Sequence, residues 1–493
     1  MAFSTEPIFE LAIHLPPRGS RHRSRALYGQ LRAAIVDGRL QPGLPLPPTR
    51  ALAAALGVAR NTVLAAYELL LSEGYLAARQ GAGTYVARVL SRAPTRAAAA
   101  LDAAHDRRLN AFWREAATFI GSASESLPSN PPRFSFQLGL PDRTHFPFEI
   151  WRRLSARALR AFSRSPATDL EPQGRLGLRE AISQHVSLAR AVACQGDDIV
   201  VTTGAQQAFN LLARILVTAG RTTVALEEPG YPLLRTAFQA AGAKIVPVRV
   251  DEEGLAVERL PKTTRVICVT PSHQYPLGTV MSLRRRVALL EFARARGAVV
   301  IEDDYDGEFR FGGHPVDALQ TLDRTGCVFY VGTFSKCLFP AIRLGFVVAP
   351  AWARRSLVAA KLFTDFHSPA HSQDTLSAFI AEGYLASHVR KMRRIYDERR
   401  QLLFSGLQER FADLLQPIPF PAGLHLTALA KSAADEDWVV KQASRHGIGI
   451  HALRPFYAGR SAKPGIVFGY GAIDKTVIAE ALAQLRRAVD SPR

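Results

Sequence analysis

The stretch that decides the fold is Val331-Gly332-Thr333-Phe334-Ser335-Lys336, which Arg343 and Gly345 follow. An apolar run, Cys327 to Val331, leads into small residues and then a lysine, in a chain with nine lysines and 53 arginines. A desolvated lysine amine can lose its proton and attack an aldehyde, which an arginine guanidinium cannot do. Lys336 is therefore a candidate for a covalent bond with an aldehyde cofactor.

A second stretch upstream supplies groups that suit such a cofactor. Ala298 to Tyr305 has the pattern of a buried parallel strand ending in carboxylates and a tyrosine, where open α/β sheets place their ligands. Pyridoxal phosphate (PLP) needs a lysine, an acid at its pyridine nitrogen, a phosphate cradle and an aromatic lid. Asp303 is the candidate acid, and Tyr305 is the candidate partner of the phenolic oxygen.

The cradle and the lid are predicted at two further turns. Ile199 to Ala208 is typical of a strand, a tight turn and a helix start, and backbone N–H groups at a helix N-terminus bind phosphate. Glu227 to Tyr231 ends another strand, and Tyr231 is available to stack on the cofactor ring.

The motifs TTGAQQA, EEPGYP, TPSHQYPLG, EDDYDGEF and GTFSK, with a later arginine, resemble those of fold-type I aminotransferases. The resemblance implies that Lys336 is the catalytic residue, which forms a Schiff base with PLP as the internal aldimine. It also implies that Asp303 meets the pyridine nitrogen, Tyr305 meets the phenolic oxygen and Tyr231 stacks on the ring. The residues implied around the phosphate are Gln206, Thr333, Ser335 and Arg343.

Two positions of the predicted cofactor site depart from the family pattern. Tyr275-Pro276-Leu277-Gly278 replaces the family's Asn-Pro-Thr-Gly run, so the usual asparagine contact to the ring oxygen is missing. Ala205 stands where a hydroxyl often helps to hold the phosphate.

Each single residue also has a structural interpretation. Asp303 beside Asp304 fits an ordinary strand-end turn, Tyr231 fits a core aromatic, and Lys336 fits a solvated loop charge. Five motifs in this order over roughly 140 residues favour the cofactor site over these separate interpretations.

The charge of the chain points to a phosphate-bearing partner. The length of 493 residues predicts two or three domains. The net charge of the chain is +19, and its pI is near 10.2. From Arg18 to Arg96 there are twelve arginines against Asp37, Glu68 and Glu73. An enzyme of small anionic metabolites does not need this excess, whereas a protein that meets nucleic acid does.

The N-terminal part has the pattern of a basic arm, residues 1–24, and a winged helix-turn-helix, residues 25–88. Leu27, Leu31 and Ile35 recur at helical spacing, and Pro48 to Val63 predicts helix, glycine turn and helix. A glycine-rich hairpin with Arg79 at its base then predicts a wing. A helical extension of an enzyme would explain the helices but neither the wing nor the local charge.

The run from Leu27 to Val86 resembles the winged helix of GntR-type repressors, including LPPTRALAAALGVARNTV, AYELLLSEGYL and RQGAGTYV. The resemblance implies contacts with double-stranded DNA from the helix-turn-helix and the wing, since recognition helices meet DNA at their N-terminal ends. The residues implied are Arg50, Arg60, Asn61, Thr62, Arg79, Gly81 and Gly83.

Composition changes twice after the wing. Residues 89–133 are alanine-rich, polar and rich in breakers, which predicts a linker. The last predicted domain spans residues 134–493. Strand and helix patterns alternate in it as far as Val348, which predicts an α/β fold, a mostly parallel sheet with helices on both faces. Beyond about Asp365, long helices and short strands predict a small α+β subdomain, where the family resemblance places Arg454 as the arginine that binds the effector carboxylate.

The remaining sequence features exclude several classes of protein. The four cysteines show no paired spacing, so neither a disulfide framework nor a metal site is predicted. No apolar run reaches membrane-spanning length, and Glu6 and Glu10 lie where a signal peptide would be basic and then apolar. A cytoplasmic protein without membrane contact is expected.

Over practically the whole chain, a winged helix followed by an aminotransferase-like domain resembles the MocR-type (GabR-like) branch of the GntR regulators. The resemblance implies a transcriptional regulator that binds operator DNA as a head-to-tail homodimer and senses an amine, an amino acid or PLP itself. GABA-responsive relatives carry an arginine two residues after the stacking tyrosine, where this chain has Leu233, so GABA is predicted to be a poor effector.

Two other functions stay open at this stage. An aminotransferase with an N-terminal extension is compatible with Asp303, Lys336 and Arg454, so residual transaminase activity is possible. A structural DNA-binding protein with a degenerate enzyme fold fits less well, because the cofactor residues are intact.

Overall fold

The structure is a computed structural model that divides into two compact units, Met1–Ser122 and Ala123–Arg493. It describes residues 11, 13–17, 20, 22–79, 83–87, 108–117, 132–164, 171–312, 317–419, 422–459 and 462–491. The division falls inside the predicted linker, and most of that linker lies outside the described residues. Gly81 of the predicted wing also lies outside them.

The first unit is a winged helix-turn-helix, as predicted. Its elements are helices α1 (Arg23–Val36), α2 (Thr49–Ala55) and α3 (Arg60–Ser72) and strands β1 (Leu76–Arg79) and β2 (Gly83–Val86). The two strands pair antiparallel. Apolar residues at helical spacing on α1 and α3, among them Leu27, Leu31, Val63 and Leu70, are fully buried and form a separate core.

The described part of the predicted arm is attached to this core. Leu11, Ile13 and Leu15 pack against it, and the backbone N–H of His14 donates to the Gln30 side chain at 2.9 Å. Helix α1 begins at Arg23, before the predicted domain boundary. The sequence pattern missed this packing because Pro16 and Pro17 break the apolar spacing. A short helix, α4, follows at residues 111–117.

The second unit is built on an eight-stranded sheet in the order β4-β11-β10-β9-β8-β5-β6-β7. The strands of this sheet are β4 (Ile199–Thr202), β5 (Thr223–Glu228), β6 (Lys244–Asp251), β7 (Gly254–Leu255), β8 (Thr264–Val269), β9 (Val299–Asp304), β10 (Val328–Thr333) and β11 (Gly345–Val348). A short strand outside the sheet, β3 (Phe134–Ser135), precedes them in the chain. The central pairs are parallel, whereas β11 runs antiparallel to its two neighbours. The mostly parallel sheet is therefore confirmed.

Helices cover both faces of this sheet. They are α5 (Phe148–Phe162), α6 (Leu176–Arg190), α7 (Ala205–Leu216), α8 (Pro232–Ala240), α9 (Leu283–Arg296), α10 (Ala351–Asp365) and α11 (Ala370–Ala381). Separate apolar cores lie on the two sides, one around Phe209 and Phe329 and another around Leu289 and Val300. Burial on both faces explains why β9 and β10 have continuous apolar runs.

The small α+β subdomain is also present. Its four-stranded sheet has the order β12-β13-β16-β15, formed by β12 (Leu415–Pro417), β13 (His425–Ala430), β15 (His451–Ala452) and β16 (Gly465–Gly469). Helices α12 (Tyr384–Phe411), α13 (Ala433–Arg445) and α14 (Lys475–Asp490) belong to this part of the chain. The remaining strand, β14 (Ile448–Gly449), pairs with β3.

Among the described residues, no helix is both long enough and apolar enough to cross a lipid bilayer.

Candidate functional site

A cavity of about 250 Å³ opens at the carboxyl ends of the central strands, where parallel α/β sheets bind ligands. Strands β9 and β10 lie in parallel register with Asp303 beside Val331, so the chain segments that follow them leave the sheet next to each other. The cavity walls include all ten residues of the predicted cofactor site: Ala205, Gln206, Tyr231, Tyr275, Asp303, Tyr305, Thr333, Ser335, Lys336 and Arg343. The fold thus brings together residues from five separate motifs.

Asp303 is a buried acid with an unused oxygen. Its side chain is 6% exposed, and its Oδ1 has no hydrogen-bond partner. Burial raises the pKa of Asp303 to about 8, with the neighbouring acids Asp304 and Asp306 adding to the effect and Lys336 opposing it. A buried carboxyl group without a partner is costly, so this wall of the cavity suits a ligand that offers an N–H or N⁺–H.

Lys336 lies in the turn after β10, and its amine is held in place. Its Nζ donates to the carbonyl oxygen of Gly139 at 3.0 Å. A Cβ atom on Gly139 would overlap that Nζ, and Gly139 has a φ of +71°, so only glycine suits this position. Burial lowers the pKa of Lys336, although Asp306 and Asp303 oppose the shift. Burial therefore favours the neutral amine, the form that attacks a carbonyl carbon.

The N-terminus of α7 is the turn where the phosphate cradle is predicted. Gly204 precedes the helix with a φ of 79° and gives it no side-chain cap, so the first N–H groups lack an intrahelical partner. The Arg343 guanidinium donates to the Thr203 carbonyl at 2.9 Å and so lies against this turn. Arg343 itself has a left-handed backbone with a φ of 48°, which is uncommon for a non-glycine residue and concentrated at ligand sites.

Two hydroxyls and an amide complete this end of the cavity. Thr333 and Ser335 are buried, and the Ser335 N–H donates to Thr333 Oγ1 at 3.2 Å. The Gln206 side chain donates to the Leu233 carbonyl at 3.0 Å, while its Oε1 is buried without a partner. Uncapped amides, an arginine and hydroxyls are the groups that bind a phosphate dianion.

Three tyrosines form the aromatic side of the cavity. Tyr275 lies edge-on to both Tyr231 and Tyr305, with ring centroids 5.6 and 5.5 Å apart. Burial raises the pKa of Tyr231 to about 12, so its hydroxyl stays protonated. Tyr275, where the family has asparagine, thus packs between the two predicted cofactor tyrosines.

The hydroxyl of Tyr305 contacts a pair of residues that sequence reasoning missed. Tyr305 Oη lies 2.9 Å from Nδ1 of His273, and this nitrogen lies 3.0 Å from both carboxylate oxygens of Asp306. His273 and Asp306 are 5% and 2% exposed. Both residues lie within the motifs TPSHQYPLG and EDDYDGEF, but their contact across 33 positions gives no sequence signal.

His425 of β13 brings the small subdomain to the same cavity. Its Nε2 donates to the Pro276 carbonyl at 3.0 Å, and its ring lies 4.9 Å from that of His273. Burial holds the pKa of His425 well below the usual range, so the imidazole is neutral. His273, Asp306 and His425 form the one group with metal-ligand spacing in the described part of the chain. The sequence did not predict this cluster, because the three residues come from distant segments of the chain.

The structure does not bring Arg454 to the cavity. Its side chain is 38% exposed and forms ion pairs with Glu436, at 2.7 Å, and with Asp437. Glu436 is fully buried and also accepts the N–H of Gly465 at 2.6 Å. Arg454 therefore stabilises the small subdomain in this arrangement, and its predicted contact with an effector stays a prediction.

The first unit contains the residues that are predicted to contact nucleic acid. Ala59 precedes α3 without a side-chain cap, and Arg50, Arg60 and Asn61 are exposed around this helix terminus, with Thr62 half-buried. The Arg60 Nε donates to Thr49 Oγ1 at 3.5 Å, which places the guanidinium beside the start of α2. The uncapped terminus and two arginines are suited to phosphates and base edges.

The wing presents a further cation. Arg79 and Gly83 pair at the end of the β1–β2 hairpin, and both are exposed. The Arg79 guanidinium lies 4.9 Å from the centre of the Tyr85 ring. This cation–π contact orients the arginine on a strand rather than leaving it on a loop.

These two units define a class: a DNA-binding winged helix joined to an aminotransferase-type domain. Residues 23–86 match the bacterial regulatory proteins of the gntR family, and residues 142–466 match the aminotransferase class I and II family, which is PLP-dependent. The chain therefore belongs to the gntR-family transcriptional regulators that carry an aminotransferase domain, the MocR type.

Two relatives and one solved structure illustrate the similarity. The chain is 36% identical to the probable rhizopine catabolism regulatory protein MocR of Rhizobium meliloti, over 94% of this chain and 93% of that protein. It is 33% identical to the pyridoxine biosynthesis transcriptional regulator PdxR of Corynebacterium glutamicum, over 97% and 99%. The α-aminoadipate aminotransferase LysN of Thermus thermophilus, complexed with N-(5'-phosphopyridoxyl)-L-leucine, matches 72% of this chain and 92% of its own with a TM-score of 0.66 and 29% identity.

Proposed function

We propose that this regulator binds PLP at Lys336 and changes its affinity for operator DNA when a small amine, an amino acid or PLP itself occupies the cavity. The observation that carries the proposal is the buried, unpartnered Oδ1 of Asp303 in the wall that Lys336 and the α7 terminus share. A protonated pyridine nitrogen supplies the missing donor. Lys336 would hold the aldehyde end of PLP, and the α7 terminus would hold its phosphate.

The chain's own residues fit each end of the cofactor. PLP supplies an aldehyde that exchanges amines and a ring that withdraws electrons. Asp303 would hold a proton against the ring nitrogen, Arg343 and the α7 terminus would neutralise the phosphate, and Tyr231 would cover the ring. Lys336, buried and held on Gly139, provides the amine that an incoming effector amine replaces.

The small subdomain is suited to report occupancy of the cavity. The Glu228 carboxylate accepts the N–H groups of Ala458 and Gly459 at 2.8 and 2.7 Å, and the Gly230 N–H donates to the Phe456 carbonyl at 3.1 Å. The turn that carries Tyr231 is therefore bonded to the segment that follows Arg454. An effector shifts the closed arrangement only by its differential affinity for closed and open forms.

We propose a head-to-tail homodimer, as the family resemblance implies. Phe363 and Phe366 near the end of α10 are 84% and 61% exposed, which supports coverage of this region by another chain. Two winged helices in one dimer would read two half-sites of an operator.

The DNA interface is tested by Arg60→Ala. The variant is expected to bind operator DNA about 1–3 kcal/mol more weakly, the cost of losing one bidentate contact with a guanine edge. Fluorescence anisotropy with promoter DNA at several salt concentrations measures the loss, and wild-type affinity should fall steeply with salt. Arg32→Ala is the matched control, because Arg32 pairs with Glu73 at the opposite end of α3. Equal affinities of Arg60→Ala and wild type at every salt concentration would remove Arg60 from the interface.

The effector site is tested by Arg454→Lys. Lysine keeps the charge beside Glu436 but lacks the planar fork that binds a carboxylate through two hydrogen bonds. We expect a melting temperature close to wild type and about tenfold weaker binding of amino-acid effectors, with amines that lack a carboxylate unaffected. GABA should bind poorly, since Leu233 replaces the arginine of GABA-responsive relatives. Spectral titration against an amine and amino-acid panel measures both; unchanged amino-acid affinity or tight GABA binding argues against this assignment.

The competing function is an active aminotransferase, which the intact Asp303 and Lys336 favour. Amino-acid turnover at ordinary enzyme rates, about 1–10³ per second, together with an unaltered DNA affinity on addition of substrate would support it.

A further inference from the structure

We propose that His273 and Asp306 are positioning residues that turn the hydroxyl proton of Tyr305 toward the cavity. The proposal rests on the proposed PLP site, and it concerns residues whose roles neither the sequence motifs nor the family comparison assigned. It starts from one nitrogen atom, Nδ1 of His273, which faces three oxygens: two of Asp306 at 3.0 Å each and one of Tyr305 at 2.9 Å.

The proton inventory of this cluster decides the direction of each hydrogen bond. A neutral imidazole nitrogen is either a donor or an acceptor, and an ionised carboxylate only accepts. Both oxygens of Asp306 lie 3.0 Å from Nδ1, and a carboxylate that faces a ring nitrogen in this way accepts its hydrogen, so the proton between His273 and Asp306 resides on Nδ1. Nδ1 is then a donor and has no free lone pair, so it cannot accept a hydrogen bond from the Tyr305 hydroxyl.

The consequence falls on Tyr305. Its oxygen can accept from the Nδ1–H but cannot donate to it, so the hydroxyl proton must point elsewhere. Tyr305 lines the cavity beside Lys336 and Asp303, and an O–H directed into it is suited to an anionic oxygen such as the phenolic oxygen of PLP. Without the carboxylate, Nδ1 could become an acceptor and take the tyrosine proton for itself.

Packing holds this orientation. A Cβ atom on Gly423 would overlap Cε1 of His273 and lie 2.7 Å from Oδ2 of Asp306, so the backbone of the small subdomain lies directly against the pair. The rings of His273 and Tyr305 are stacked at 5.7 Å. The close approach of Gly423 leaves the His273 ring little room to turn, and a hydrogen bond in such a buried site is electrostatically stronger than one in water.

The test is a double-mutant cycle on the full-length protein with added PLP. Asp306→Asn keeps the shape of the side chain and withdraws the charge that keeps the proton on Nδ1; Asp306→Leu is a second version without any polar atom. In the wild-type background each variant should weaken PLP binding about tenfold, or about 1.4 kcal/mol. The pH at which the visible absorbance of bound PLP titrates should rise, since a donated hydrogen bond favours the anionic form of the oxygen.

The effect must act through the tyrosine. In a Tyr305→Phe background, Asp306→Asn should change PLP affinity and the titration midpoint by less than twofold. Glu308→Gln, which removes a nearby charge without touching Nδ1, is the matched control and should behave like wild type. An equal effect of Asp306→Asn in both backgrounds, or none in wild type, overturns the proposal while PLP still binds. A wild-type protein that binds no PLP contradicts the proposed function itself and this inference with it.

Discussion

Lys336→Ala is expected to bind operator DNA as tightly as wild type and to lose its response to amines. The winged helix has its own core in a separate compact unit, so removal of a cavity residue leaves the DNA interface intact. The cavity of the variant still offers Asp303 and the α7 terminus to PLP. It no longer offers an amine that an effector amine can replace, and that exchange is much faster than attack on a free aldehyde.

Two measurements check this result. Operator affinity by anisotropy, with and without effector, should change in wild type and stay constant in Lys336→Ala. Borohydride treatment should attach the cofactor to the wild-type peptide that contains Lys336 and to no peptide of the variant. Lys391→Ala, an exposed lysine of α12, is the control and should behave like wild type. The assignment is falsified if Lys336→Ala keeps the visible absorbance of the bound cofactor and a normal response.

Asp303→Asn should reduce PLP affinity by about 100-fold or more. Removal of one partner of a buried charge pair costs about 3–5 kcal/mol, because the other charge is left without compensation. Glu252→Gln, an exposed acid in the turn between β6 and β7, is the matched control and should bind PLP normally. Fluorescence or absorbance titration with PLP measures the difference, and wild-type affinity in Asp303→Asn would show that this acid does not face the ring nitrogen.

A further prediction for this variant concerns how its PLP affinity, relative to that of wild type, depends on pH. Since the pKa of Asp303 is raised to about 8 in the empty cavity, its carboxyl group is mostly protonated at pH 7 and can hand that proton to the ring nitrogen. Above about pH 8 the empty cavity no longer holds this proton, so binding must take one up from solvent, and the advantage of wild type over Asp303→Asn should shrink as pH rises. A ratio of affinities that grows with pH would contradict this proton count.

The parts of the site that depend on local chain geometry could be predicted from the sequence. Asp303 ends a strand, Lys336 follows the next one, and Ala205 begins a helix after Gly204, so the parallel sheet places all three at one edge. The winged helix was predictable for a similar reason, since its helices and hairpin each have a short-range pattern.

Contacts between distant segments were not predictable. The bond between Lys336 and Gly139 spans 197 positions, and that between His273 and Asp306 depends on which imidazole nitrogen holds a proton. Arg454 has the position in the chain that the family resemblance implies, but its guanidinium pairs with Glu436 and Asp437 of α13 and does not line the cavity. Side-chain direction is set by such neighbours, and a family motif carries no information about them.

The most direct test of the regulator is the operator affinity of one preparation in three states: with PLP removed, with PLP bound, and with PLP plus an amine that changes its spectrum. If the cavity controls the winged helices, at least two of the three dissociation constants should differ by about 5- to 150-fold, the usual range of coupling between two sites. Three equal dissociation constants, measured with a cofactor that binds and reacts normally, would contradict the claim that occupancy of this cavity regulates DNA binding.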